Sequence, residues 1–145
     1  MNNTAHRIVV DTNIVLDLFV FDDPKAKQLK DALLNGLAAH QVIWLATQAM
    51  RDELLRVLSY PIIMSRMAFY KIKSEHVVQQ FDDAATLVEP APKAPWICKD
   101  PDDQKFIDLA VQHQTQLFSK DQAVLCMAKR LQTAGVLVHF PSHFI

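Results

Sequence analysis

Acidic side chains recur in this chain where an α/β protein presents its ligands. Asp11 ends the run Arg7-Ile8-Val9-Val10 and is followed by Thr12 and Asn13. Glu53 stands in Met50-Arg51-Asp52-Glu53-Leu54, Asp102 and Asp103 follow Asp100-Pro101, and Asp121 closes Phe118-Ser119-Lys120-Asp121. Three consecutive Ile/Val residues favour a strand buried on both faces. An Asp at the end of such a strand lies where open α/β sheets hold their ligands, and is a candidate metal ligand. The plainer role for Asp11, Asp100 and Asp121 is to cap the helices that follow them.

The helical wheel separates the remaining acids. At about 100° per residue, Glu53 shares a face with Ala49 and Val57 and borders the stripe of Met50, Leu54 and Leu58, whereas Asp52 turns to the polar side with Arg56. That border position suits a solvated edge residue as well as a ligand. In the helix opened by Asp100-Pro101, the apolar stripe is Phe106, Ile107, Leu109, Ala110 and Val111, and Asp103 falls within about 20° of its centre. Asp102 is nearer the edge, and Asp108 is on the far side. A carboxylate facing the interior is costly unless a cation or hydrogen bonds compensate.

These acids need a frame. Arg7–Val10, Val42–Ala46, Ala85–Glu89, Gln116–Ser119 and Val136–Phe140 read as strands. Between them, helices are expected over Ile14–Phe21, from Asp23-Pro24 to Asn35 with Gly36 as the stop, from Thr47 to about Ser59 ahead of Pro61, over Ile62–Phe81 with a break, from Asp100 to about His113, and over Gln122–Thr133. Such alternation argues a parallel sheet covered on both faces: an α/β fold, three layers deep, with a sheet of about five strands. If the sheet grows one way through its third strand and then crosses back, the first and fourth strands are neighbours. Asp11 and Asp121 then flank the switch point, with Asp103 approaching the same edge. Converging carboxylates without basic partners repel one another and resist ionisation; a divalent cation removes the problem, and all-oxygen ligands suit Mg²⁺ or Mn²⁺ rather than zinc.

Composition narrows the field. A chain of 145 residues, half of them hydrophobic, is long enough for one domain with its own core, and its net charge of −1 does not advertise nucleic-acid binding. Basic patches can still offset an acidic pocket. Only two glycines, Gly36 and Gly135, are present, so neither a dinucleotide-binding nor a Walker loop is available. Cys98 and Cys126 are far apart in sequence, which fits a reducing cytoplasm better than a disulfide framework. The polar Met1–His6 segment and the absence of a long apolar run speak against a secretory signal and a membrane span. His139 and His143 straddle Pro141 with no cysteine nearby, which speaks against zinc. The alternating prolines of Glu89-Pro90-Ala91-Pro92-Lys93-Ala94-Pro95 read as an extended connection.

Taken together, the strand ending in Asp11-Thr12-Asn13, the helical Glu53, the Asp100-Pro101-Asp102-Asp103-Gln104-Lys105-Phe106 segment and Ser119-Lys120-Asp121 resemble the PIN-domain family of metal-dependent ribonucleases. The acidic run resembles a bacterial branch described as toxin components of toxin–antitoxin pairs. The resemblance covers nearly the whole chain and implies a single PIN-like domain over 1–145. Its metal-binding, catalytic acids would be Asp11, Glu53, Asp103 and Asp121, with Asn13 and Ser119 in support and Asp102 as an alternate ligand or supporting group. It implies cleavage of single-stranded or loop RNA by water activated on Mg²⁺ or Mn²⁺, a cytoplasmic location and a cognate antitoxin as partner. Lys120 departs from the family, which often has Gly there; a Lys can pair with a carboxylate or a phosphate, or compete with the metal.

Two other function classes compete. One is a PIN-fold regulatory module that holds RNA or protein with weak or no cleavage, favoured by Lys120. The other, an aspartyl phosphotransferase, usually has a second Asp two residues after the first, where this chain has Asn13. The span Leu54–Ser74 carries Arg56, Arg66, Lys71 and Lys73 with Tyr60, Phe69 and Tyr70 and no acid, which reads equally as an RNA-backbone surface with stacking groups and as a solvated helix face. The apolar stretch Ile14–Leu34 is a further candidate surface, for a partner or a second copy in a homodimer.

Overall fold

The computed structural model describes residues 5–21 and 24–139. Five strands, β1 (His6–Val10), β2 (Val42–Ala46), β3 (Ala85–Leu87), β4 (Gln116–Phe118) and β5 (Leu137–His139), form one sheet in the order β3-β2-β1-β4-β5. All four pairings are parallel. The chain therefore builds outward from β1 to β3, returns, and places β4 on the other side of β1. The register sets Val10 opposite Phe118, so the segments leaving β1 and β4 start side by side.

Eight helices fill the connections among the described residues: α1 (Thr12–Phe19), α2 (Lys27–Ala38), α3 (Gln48–Leu58), α4 (Pro61–Phe69), α5 (Ser74–Ala84), α6 (Gln104–His113), α7 (Gln122–Leu125) and α8 (Ala128–Gln132). Right-handed crossovers put α1–α5 on one face of the sheet and α6–α8 on the other, because the direction of travel reverses after β3. Ile8, Val9, Leu117 and Phe118 of the two central strands are fully buried. Trp44 of β2 stacks on Phe19 of α1 (6.2 Å) and meets the edge of Phe81 of α5 (5.5 Å), which ties two helices to the sheet.

Several boundaries differ from the sequence reading. Gly36 does not end α2; it lies inside it, buried, and a Cβ there would come within 2.5 Å of Val42 Cγ2. The glycine is needed for close helix–sheet approach, so Gly36→Ala should destabilise the protein by about 1–2 kcal/mol in a urea melt despite its better helix propensity. The expected helix over Gln122–Thr133 is two short ones, interrupted where Met127 N–H bonds back three residues to Val124 O at 2.9 Å. The Asp23 helix start, Phe140 at the end of β5 and His143 lie outside the described residues. Much of the apolar stretch proposed as a docking surface is core: Ile14, Leu18, Leu29 and Leu33 are buried, and Leu34 stands out at 41% exposed.

Candidate metal centre

Asp11 follows β1 directly and is 2% exposed. It caps α1, accepting from Ile14 N–H at 3.2 Å, and its other oxygen accepts from the Ser119 hydroxyl. Capping is thus fulfilled by one oxygen; the other is held by Ser119, and Asp11 feels the charges of Asp121 and Asp103 without belonging to the tight three-carboxylate group formed by Asp100, Asp103 and Asp121. Burial pushes its pKa up to about 6; the hydrogen bonds from Ser119 and Ile14 oppose the rise, and the charge of Asp121 adds to it. Ser119, fully buried, also accepts from Asp121 N–H at 3.1 Å, so a single hydroxyl stitches the exits of β1 and β4 together. Asp121 is half-buried and caps α7 through Ala123 N–H at 2.9 Å.

Asp103 arrives from the opposite direction. Asp100 accepts from Asp102 N–H at 3.0 Å and starts a tight 3-10 turn, Pro101–Asp103, that leads into α6. The turn aims Asp103 inward, as the wheel requires, at 8% exposure. One of its oxygens, Oδ2, is buried without a hydrogen-bond partner. Burial first, then its hydrogen bond with Asp121 and the charges of Asp121, Asp100 and Asp11, hold its carboxyl up at about 8. Oxygens of Asp100, Asp103 and Asp121 lie within 4.8 Å of one another. An orphaned buried carboxylate oxygen in an all-oxygen cluster fits a hard divalent cation.

The other expected site residues divide. Glu53 faces this side of the molecule but is engaged by Lys105, whose Nζ lies 2.5 Å from its Oε1 and also donates to Asp102 O. It is outside the three-carboxylate group. Asn13 is exposed, with its N–H rather than its side chain turned towards Asp11. Asp102 is exposed as well and belongs to the turn. Asp108 is half-buried: it accepts from Ala94 N–H and Gln104 Nε2, and Gln104 in turn holds Trp96 O and Cys98 N–H. Those bonds fasten the proline-rich connection onto α6, just ahead of Asp100.

Two residues were missed. The sequence offers Asp100 only as a cap, yet besides accepting from Asp102 N–H it brings a carboxylate oxygen into the cluster with Asp103 and Asp121. Asp17, the lone acid in the apolar run of α1, is 4% exposed and is reached by Lys120 Nζ at 2.7 Å. Lys120 is thereby turned onto α1 and does not compete for the acidic cluster. Its ion pair ties the loop bearing Ser119 and Asp121 to the helix capped by Asp11. Lys120→Ala should cost about 2 kcal/mol in a denaturant melt, since it removes the ammonium that faces a buried carboxylate, and Lys120→Arg should recover most of it.

No curated protein matches the chain. The PIN domain family, however, matches residues 7–123, a segment that runs from β1 through the acidic turn to the β4–α7 loop and includes every acid of the cluster. With that match over most of its length, and with the parallel five-stranded sheet and its acidic switch point, the chain belongs to the PIN domain family.

Proposed function

We propose that this protein is a Mg²⁺- or Mn²⁺-dependent endoribonuclease that cleaves single-stranded or loop RNA, and that it is the cytoplasmic toxin of a toxin–antitoxin pair, folded as one domain over 1–145. PIN domains are generally nucleases that use divalent metals and act on RNA. The observation that carries the reading is the unpartnered buried oxygen of Asp103 in its cluster with Asp100 and Asp121. No helix among the described residues is long and apolar enough to cross a membrane.

In this reading Asp11, Asp103 and Asp121 are the metal-binding, catalytic acids, and we add Asp100 to them. A divalent cation held there would lower the pKa of water and neutralise charge on the scissile phosphate. The protein's own part is to fix the oxygens. Ser119 holds Asp11 in one orientation, the tight turn after Asp100 aims Asp103, and the Lys120–Asp17 pair anchors the loop of Asp121. Burial and the neighbouring acids favour the protonated form of Asp103, so a cation bound there would compete with a proton. Glu53 would join the set only by leaving Lys105, whose ammonium is then free to meet a phosphate.

The ion pair between Glu53 and Lys105 favours a second reading, a PIN-fold module that binds RNA or protein with little cleavage. The two separate in an assay of purified protein on RNA with Mg²⁺ or Mn²⁺, alongside Asp11→Asn and Asp103→Asn. Cleavage by the parent that both variants lose supports the nuclease. Undiminished cleavage by both overturns it, because a contaminant then explains the signal. Calorimetry showing no Mn²⁺ uptake at millimolar concentration favours the binding module.

A further inference from the structure

Large exposed apolar side chains gather around α4. Ile62 is 69% exposed, Phe69 77%, Met64 53%, Tyr60 45%, Leu55 42% and Tyr70 39%. Helical spacing of four and then three residues sets Ile62, Arg66 and Phe69 in one outward row, while Ile63 and Met67 are buried beneath. Beside that row, Leu55, Leu58, Met64, Met67 and Ile72 line an apolar groove of about 370 Å³ between the end of α3 and α4. No acid occurs between Leu54 and Ser74, and Arg56, Arg66 and Lys71 are exposed and form no ion pair among the described residues. Lys73 is different, since its charge is felt by Glu75. A helix face kept for solvation alone would not carry Ile62 and Phe69 in its outermost row.

Charge decides among occupants. A second copy meeting this face about a two-fold axis would set Arg66 near its own mate and bring Arg56 and Lys71 of both copies together with no acid between them. The occupant is therefore anionic. Tyr60, Phe69 and Tyr70 could stack nucleobases, but Leu55, Ile62 and Met64 have no flat face to offer and the groove itself is aliphatic and methionine-lined. Aromatics, Met and Arg with apolar neighbours are the make-up of a protein-binding surface, and a Met-lined groove adapts to varied apolar anchors.

We propose that the α3–α4 groove docks an acidic amphipathic helix of a partner protein, with apolar anchors of that helix in the groove and its carboxylates facing Arg56, Arg66 and Lys71. This surface is separate from the acidic cluster and does not depend on the nuclease reading. The test is selection of displayed random helical peptides on the full chain, followed by anisotropy of the best peptide with Ile62→Ser, Phe69→Ser and Arg66→Glu. All three positions are exposed, so the fold is checked simply by an unchanged melt. The expected peptides are net negative with apolar residues at helical spacing, and each substitution weakens the best by about tenfold or more. Neutral or basic winners, or winners that bind all three variants as well as the parent, overturn the proposal. So does an oligouridylate of about 12 nucleotides whose binding falls about tenfold on Phe69→Ser, which would assign the face to RNA.

Discussion

Asp103→Asn is expected to make the metal-free protein more stable and, at the same time, unable to work. The side chain is 8% exposed, leaves Oδ2 without a hydrogen bond, and faces the charges of Asp121, Asp100 and Asp11. An amide of the same shape keeps the packing, removes the repulsion and can donate to the carboxylates around it. The gain should be about 1–2 kcal/mol, or roughly 2–6 °C in melting temperature for a domain of this size. The same change removes one anionic ligand from the proposed metal centre, so Mn²⁺ affinity and RNA cleavage should each fall, the latter by about a hundredfold or more, near 2.7 kcal/mol in the barrier. Asp11→Asn should lose activity without the stability gain, because Asp11 is already met by Ser119 and Ile14. Thermal melts in chelator, Mn²⁺ calorimetry and a cleavage assay on the same three proteins decide it. A destabilised Asp103→Asn that still binds Mn²⁺ normally would mean that Asp103 is a structural residue.

Much of this arrangement was legible because it follows from periodicity. The β-branched run before Asp11 and the hydrophobic strands between helices predict a parallel sheet, and one assumption about its direction of growth put β4 beside β1, as found. The inward turn of Asp103 came from helical geometry alone. What the sequence hid depends on side chains choosing among partners. Lys120 could answer a phosphate, a metal-site carboxylate or another acid; its partner, Asp17, is six residues past Asp11 and becomes its neighbour only because β4 returns next to β1. Glu53 and Lys105 meet for a similar reason, across two helices far apart in sequence.

Chain stops were illegible for another reason. With only two glycines, three left-handed positions where backbone turns away from a helix are filled by His40 (φ 59°), Lys71 (φ 57°) and Gln114 (φ 52°), residues that give no warning. Conversely, Gly36, which looks like a stop, serves packing against Val42. Where glycine is scarce, the residue that ends a helix is selected by what the tertiary fold tolerates, and local propensity is a poor guide.

The pH response of the metal-free protein should run opposite to that of an ordinary salt-bridged domain. Asp11 titrates at about 6 and Asp103 at about 8 in the folded chain, against an ordinary value of 3.8. Between the ordinary and the folded values the native state holds more protons than the unfolded state, so its stability falls as pH rises through that window and levels off above the higher folded value. Burial is the leading cause at both sites, and the mutual repulsion of the acids adds to it, so the loss is shared by the cluster as a unit. The Asp82 carboxyl, lowered by Arg51, works in the other direction, but its transition lies below this window. Moving from about pH 5 to about pH 8.5 in chelator should therefore cost on the order of 5 kcal/mol, seen as a melting temperature lower by roughly 10 °C or more. With Mn²⁺ in excess the slope should reverse, because a cation bound by ionised carboxylates stabilises the fold more as protons are withdrawn, and calorimetry in two buffers of different ionisation enthalpy near pH 7 should show proton release on binding. A melting temperature in chelator that climbs steadily from pH 5 to 8.5 would show that the acids are ionised without a cation, and that the orphaned oxygen of Asp103 is satisfied in some other way.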